Sequence, residues 1–166
     1  MLPVIENRRS VRDYLDTPVD DKQLQEVLMA AMCSPSAHHK YPWDLVVVKD
    51  VQIKERLSKV TPWATHIDKA PVVIAVVGYQ KESVDWVEDC SIVAEHIWLE
   101  AENQGLSSCW VQIRNNDNAE KEVKEILNIP DDYQVLCLMP LGVPANKLDK
   151  HSVDNVDKSK IKQDKY

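Results

Sequence analysis

The sequence predicts an α+β protein, a mixed β-sheet flanked by helices, and three observations carry that reading. Residues 45–48, 72–77 and 135–141 are short, almost uniformly apolar runs of strand-forming residues, more apolar than a half-exposed strand would be. Between them lie segments whose apolar residues recur at helical spacing. Helices and strands interleave, yet clean β-α-β units are too few for an all-parallel sheet.

The elements follow in chain order. Residues 20–32 form a helix: Asp20 is its N-cap, Gln23 three residues later completes a capping box, and Leu24, Val27, Leu28, Ala31 and Met32 share a face. Ser34-Pro35 ends it. The run 45–48, bounded by Pro42-Trp43 and Lys49-Asp50, is a buried strand. A short helix over 51–59 and a polar loop precede Ala70-Pro71, which introduces the central strand 72–77. The longest helix covers 84–104 and stops at Gly105. Its main stripe is Val87, Cys90, Val93, Ala94, Ile97 and Ala101, while Ile92 and Leu99 stand on the opposite face. A helix apolar on two faces is buried on two sides, the second by another layer of its own domain or by a partner subunit. A strand over 108–112, a helix over 117–127 capped by Asp117 with Glu120 three later, and a strand over 135–141 ending at Gly142 complete the order.

With 166 residues, 44% of them hydrophobic, the chain fits one domain over residues 1–144. Residues 145–166, rich in Lys, Asp and Asn, form a polar C-terminal arm. No apolar run reaches the roughly 18 residues of a membrane span, and Leu2 to Ile5 is too short for the core of a signal peptide, so a cytoplasmic protein is expected. Cys33, Cys90, Cys109 and Cys137 lie far apart in apolar surroundings, which predicts buried free thiols rather than disulfides.

The net charge of −7 excludes a general nucleic-acid-binding surface. Against that background Arg8, Arg9 and Arg12 stand within five residues, in Arg8-Arg9-Ser10-Val11-Arg12. Either they pair with acids such as Glu6, Asp13 and Asp16, or they hold a small anion such as a phosphate. The three glycines, Gly78, Gly105 and Gly142, cannot make a glycine-rich phosphate loop, so guanidinium forks would have to hold it. A second motif, Ser34-Pro35-Ser36-Ala37-His38-His39-Lys40-Tyr41-Pro42-Trp43, joins a capped helix to a strand. His38-His39 lacks the spacing and partners of a metal site, and Ser36 lacks the G-x-S-x-G setting of a nucleophile, so neither a metal nor a serine mechanism is expected.

The order R-R-S-x-R, amphipathic helix, P-S-x-x-x-x-x-P-W, apolar strand resembles the nitroreductase family of flavin-dependent oxidoreductases. Asn103-Gln104-Gly105-Leu106-Ser107-Ser108-Cys109-Trp110 and Leu127-Asn128-Ile129-Pro130-Asp131-Asp132-Tyr133, with Leu141-Gly142-Val143-Pro144, extend the likeness over residues 5–144. The resemblance implies a homodimer with a long interface helix and two FMN molecules at the subunit interface, reduced by NAD(P)H. It also implies a small electrophilic acceptor, such as a nitroaromatic or quinone, reduced by ping-pong hydride transfer. By that analogy Arg8, Arg9, Ser10 and Arg12 hold the FMN phosphate, ribityl chain and pyrimidine edge, while Pro35, Ser36, Ala37 and His39 of the other subunit cover the ring. Backbone groups at Gln112 and Ile113 meet N5 and O4, and no side chain is assigned to catalysis. The chain carries His39 where the family commonly has Asn, Tyr41 where it has Gln, and Ser107 where it has Gly. Lys147 or Lys150 stands nearest the place of a basic residue that often closes on the phosphate. A non-catalytic flavin-binding or interaction protein on the same dimeric fold is the alternative.

Overall fold

A computed structural model describes residues 1–146 and 148–166. Lys147, named above as a residue that closes on a phosphate, lies outside the described residues. Five strands, β1 (Trp43–Val48), β2 (Val72–Tyr79), β3 (Ser107–Ser108), β4 (Val111–Gln112) and β5 (Tyr133–Gly142), form one sheet in the order β1-β2-β5-β3, with β4 also paired to β5. All four ladders are antiparallel, and a parallel bridge joins Ser10 to Ser108. The helices are α1 (Pro3–Asn7), α2 (Asp21–Met32), α3 (Val51–Leu57), α4 (Trp86–Asn103) and α5 (Asp117–Leu127).

Alternation along β2 divides the core. Val72, Ile74 and Val76 pack with α2 and α4, whereas Val73, Ala75 and Val77 pack with residues of α3 and α5. With helices on both faces, the strand can be apolar at every position, which is why it lacks a polar period. β5 carries a bulge: Val76 pairs with Cys137 and Val77 with Val135, so Leu136 is left over. Its carbonyl accepts from the amides of Ile113 at 3.2 Å and Arg114 at 3.1 Å.

α2 has the predicted capping box, with Asp20 accepting from the amides of Lys22 and Gln23 and the Gln23 side chain accepting from the Asp20 amide. It runs antiparallel to α4, since Gln23 Nε2 donates to the Gln104 carbonyl at 2.8 Å and Ser34 at its far end bonds His96. α4 ends in a Schellman turn: the Leu106 amide reaches Ala101 O, the Gly105 amide reaches Glu102 O, and Gly105 has φ +74°.

Three expectations change. The strand over 108–112 is two short strands in one register, Ser108 opposite Leu141 and Val111 opposite Leu138. That register sets Cys109 opposite Pro140, which has no amide to donate, and the ladder lapses there. The cap of α5 is Asn116, whose side chain accepts from the Ala119 amide; Asp117 is already helical, and Glu120 instead accepts from the Val135 amide at 2.8 Å. Cys33 is exposed because it follows the last turn of α2, while Cys90, Cys109 and Cys137 are buried.

Candidate functional site

The segment 8–12 runs beside β3, with the Val11 amide donating to Ser108 O at 3.0 Å. Its three arginines have different surroundings. Arg8 lies over the Trp98 ring, 4.3 Å from the centroid, and the Trp98 indole N–H donates to Arg9 O at 3.3 Å. Arg9 turns toward the C-terminal arm: Nε donates to Asp149 O at 2.6 Å, Nη2 to Lys150 O at 3.2 Å, and Nη1 to His151 Nδ1 at 3.3 Å. His151 Nε2 in turn donates to Arg8 O at 2.9 Å. Arg12 is exposed and, among the described residues, its one hydrogen bond is a 3.4 Å contact to Ser10 O, so its guanidinium is the least committed of the three there. Lys150 lies 3.9 Å from the Glu6 carboxylate.

Two clefts meet at Arg9. One is lined by Arg8, Ser10, Leu148 and His151, the other by Asn7, Val11, Glu102 and Ser107. Burial raises the Glu102 carboxyl above its usual range, against the opposing effects of Ser107 and Arg8. Burial likewise raises the Cys109 thiol, with Arg12 and Arg8 pulling the other way.

The second motif sits toward the other end of α4. Asp89, buried in that helix, accepts from Ser36 Oγ at 2.8 Å and from the Ala37 amide at 3.0 Å, while Ser36 Oγ accepts from the Tyr41 amide at 2.8 Å. This anchoring holds His38, His39 and Tyr41 in the left-handed region at φ 53°, 55° and 48°. Such geometry is costly for residues with a Cβ and persists where the surroundings enforce it. Pro35 and His39 are exposed, Ser36 and Ala37 half-buried, and His39 Nδ1 lies 3.3 Å from Tyr41 Oη. Asp89 and Trp98 are about 14 Å apart along the helix axis. The arginine segment and the loop therefore meet α4 at separate places.

Gln112 is exposed, its amide fixed by the Trp110 indole N–H at 2.7 Å and by Arg114 O at 2.8 Å. Ile113 is buried and its backbone N–H is already donated to Leu136. Gln112 borders a third cleft with Arg114, Asn115 and Trp63, a residue that is 53% exposed.

Sequence reasoning missed Asp89, Trp98 and His151. Asp89 left a readable signal, an acid between Trp86 and Val93 on the buried stripe of α4. The Trp98 stack and the return of His151 to Arg8 depend on tertiary contacts that no local pattern reveals.

A helix-flanked antiparallel sheet, with a guanidinium cluster near one end of its long helix and a carboxylate-anchored loop near the other, defines an α+β scaffold of the nitroreductase type. The chain belongs to the nitroreductase family, whose sequence signature matches residues 5–65 and 59–143. A relative from Archaeoglobus fulgidus, provisionally named an NADH dehydrogenase/NAD(P)H nitroreductase, is 32% identical over 158 residues, covering 93% of this chain and 91% of its own. One from Methanothermobacter thermautotrophicus with the same name is 33% identical over 148 residues, covering 87% and 78%. The solved structure of an FMN-dependent nitroreductase from Clostridium difficile R20291 superposes with a TM-score of 0.96 at 31% identity, each chain covered in full.

Proposed function

We propose that this protein is a cytoplasmic FMN-dependent NAD(P)H oxidoreductase. It acts as a homodimer that reduces a small electrophilic acceptor, such as a nitroaromatic or quinone, in two half-reactions through one site. The observation that carries the reading is the separation of the two half-sites on α4. A two-fold dimer brings the arginine segment of one subunit to the Pro35–His39 loop of the other, completing two equivalent sites. α4 keeps Ile92 37% exposed and Leu99 half-buried, and α2 keeps Met29 and Met32 half out of the protein, an apolar surface for such an interface.

The residues present fit FMN. Arg8 and the uncommitted Arg12 suit a dianionic phosphate and a polar ring edge, with Ser10 between them. The held loop of Pro35, Ser36, Ala37 and His39 gives the flavin a rigid cover, and Gln112 borders the cleft where Trp63 stands open, while Ile113, buried and with its amide given to Leu136, does not line it. Arg9 tethers the arm over the cleft lined by Arg8 and Ser10, which shields the phosphate from water. Bound FMN supplies hydride acceptance and donation, so the protein needs to position donor and acceptor in turn, and no acid–base side chain is required. The match to an FMN-dependent relative supports the cofactor assignment.

An absorbance titration tests the reading. The protein should bind FMN with a visible spectral shift, bleach with NADH or NADPH, and recover colour when a quinone or nitroaromatic is added. Failure to bind FMN would refute the cofactor, and a bound flavin that neither nucleotide bleaches would make the protein a non-catalytic flavin binder.

A further inference from the structure

The cleft that Trp63 shares with Gln112 and Arg114 opens to solvent and has a volume of about 680 Å³, a size common among small-molecule sites. Trp63 is 53% exposed, although the turn that carries it is anchored on both sides: Thr61 and Ala64 are buried, and the Ala64 amide donates to Thr61 O at 3.1 Å. An indole held out in this way keeps a large apolar face in water, which a planar ring would cover.

Arg114 lines the same cleft on a fixed backbone. Its amide donates to Leu136 O at 3.1 Å and its carbonyl accepts from Gln112 Nε2 at 2.8 Å, while Gln112 Oε1 accepts from the Trp110 indole at 2.7 Å. The side chain is half-buried with Cζ 5.8 Å from the centroid of the Trp86 ring. Among the described residues its guanidinium pairs with no carboxylate. A half-buried guanidinium without an anion has lost hydration and gained no partner, and its forked donors match a carboxylate. Asn115, Asn116 and Asn118 add neutral polar lining, and the carboxylate on the wall is Asp117, exposed at the rim shared with a neighbouring cleft on α5. One cation against one anion leaves the wall without net charge. That suits a single anionic group seated on Arg114 and disfavours a polyanion such as a pyrophosphate.

We propose that this cleft binds the electron acceptor, and that the acceptor is a planar aromatic ring bearing one carboxylate, stacked on Trp63 with its carboxylate on Arg114. The inference rests on the flavin reading and deepens it by naming the class of acceptor and the two side chains that select it. Gln112, a flavin residue in that reading, forms part of the same wall.

The test uses 4-nitrobenzoate and the neutral 4-nitrobenzyl alcohol as probes on the full chain. In equilibrium dialysis, with or without FMN, the wild type should bind the benzoate about tenfold or more tightly than the alcohol, the worth of one charge-assisted contact. Arg114→Gln should remove that preference, Arg114→Lys should keep part of it, and Trp63→Leu should weaken both probes. Two electrons and two protons convert either nitro group to nitroso and water, the electrons and one proton coming from NAD(P)H and the second proton from solvent. In FMN-loaded protein bleached by NAD(P)H, the ratio of colour-recovery rates, benzoate over alcohol at equal low concentration, should fall about tenfold in Arg114→Gln. Equal wild-type affinity for the two probes would overturn the proposal, as would a preference that survives Arg114→Gln. A benzoate preference in binding with no change in the rate ratio would make the cleft an anion site that is not the acceptor's, and would also overturn it. A chain that binds the benzoate through Arg114 but takes up no FMN would refute the flavin reading, and the acceptor role with it.

Discussion

Replacing Asp89 with alanine tests how the Pro35–His39 loop is held. The Asp89 carboxylate accepts two hydrogen bonds from that loop, at 2.8 Å from Ser36 Oγ and 3.0 Å from the Ala37 amide. Bonds to a charged acceptor contribute about 1.5–3 kcal/mol each. Part of that is offset, because the alanine variant no longer buries a charge and the half-buried Ser36 and Ala37 can turn to water. The net loss should be about 3 kcal/mol, which for a chain of this size lowers the melting temperature by about 6–12 °C. The loop should also lose its shape: without the anchor, left-handed geometry at His38, His39 and Tyr41, costing of order 1 kcal/mol or more per residue, is no longer enforced. Flavin binding should therefore weaken even at temperatures where the variant is fully folded. Asp89→Asn retains one acceptor for the Ala37 amide and should fall between the two. Thermal unfolding at fixed protein concentration, paired with an FMN titration, measures both effects. An Asp89→Ala protein melting within about 2 °C of wild type, with unchanged FMN affinity, would refute the claim that this carboxylate organises the loop.

Arg12→Ala should weaken FMN by about tenfold or more, and equal wild-type affinities for FMN and riboflavin would show that the phosphate is not read. Leu99→Asp, which puts a carboxylate on the exposed face of α4, should dissociate or unfold the dimer in sedimentation; a folded, flavin-loaded wild-type monomer would remove the basis of that expectation. Mixing Asp89→Ala and Arg12→Ala subunits should restore about half of the wild-type flavin sites in the hybrid dimer, because one site then draws both halves from unaltered segments, and no recovery would place both halves of a site on one chain. As pH falls, His66 should contribute an acid-side loss of stability. Burial and Arg12 hold its folded pKa down against the Trp63 carbonyl and Asp68, so the unfolded chain takes up the proton first below about pH 6.5. Urea unfolding as a function of pH should show that loss in wild type and less of it in His66→Leu.

Local chemistry made much of the fold legible. The Asp20–Gln23 box, the stop at Gly105 and the apolar run of β2 are signals contained in a few consecutive residues, and each marks the element observed. The break between β3 and β4 was not legible, since it depends on Pro140 in a strand some thirty residues away, seen only once register is known. The α5 cap was a contest between neighbours, and Asn116 takes it by adopting extended geometry one residue before Asp117. For the site, residue type and order singled out the arginines and the loop. They could not say that Arg9 faces the arm while Arg12 stays open, because the partners of Arg9 lie about 140 residues further along the chain. Nor could they single out Trp63 and Arg114, which are far apart in sequence and share a cleft only once the chain is packed.

The unpaired buried groups show where this fold gives up stability. Five buried side-chain atoms lack a partner among the described residues: Asn7 Oδ1, Trp43 Nε1, Thr61 Oγ1, His66 Nε2 and Ser108 Oγ. Asn7 lines a cleft at Arg9, Ser108 bridges to Ser10, and Trp43 meets Tyr41 edge to face at the end of the strained loop. Thr61 and His66 stand in the turn between Arg12 and the Trp63 cleft. Trp43 and Ser108 belong to strands at the two edges of the sheet, Asn7 ends α1, and Thr61 and His66 stand in the turn before β2, so none of the five lies in α3, α5 or the central strands β2 and β5. His38, His39 and Tyr41 add left-handed backbone in the loop beside Trp43, whereas Asn128 is left-handed as the C-cap of α5. Polar groups left unpaired and backbone held left-handed in these connecting segments give up stability there, whereas the regular core of β2 and β5 carries neither, which sets the packed centre of the fold apart from the segments that bound it.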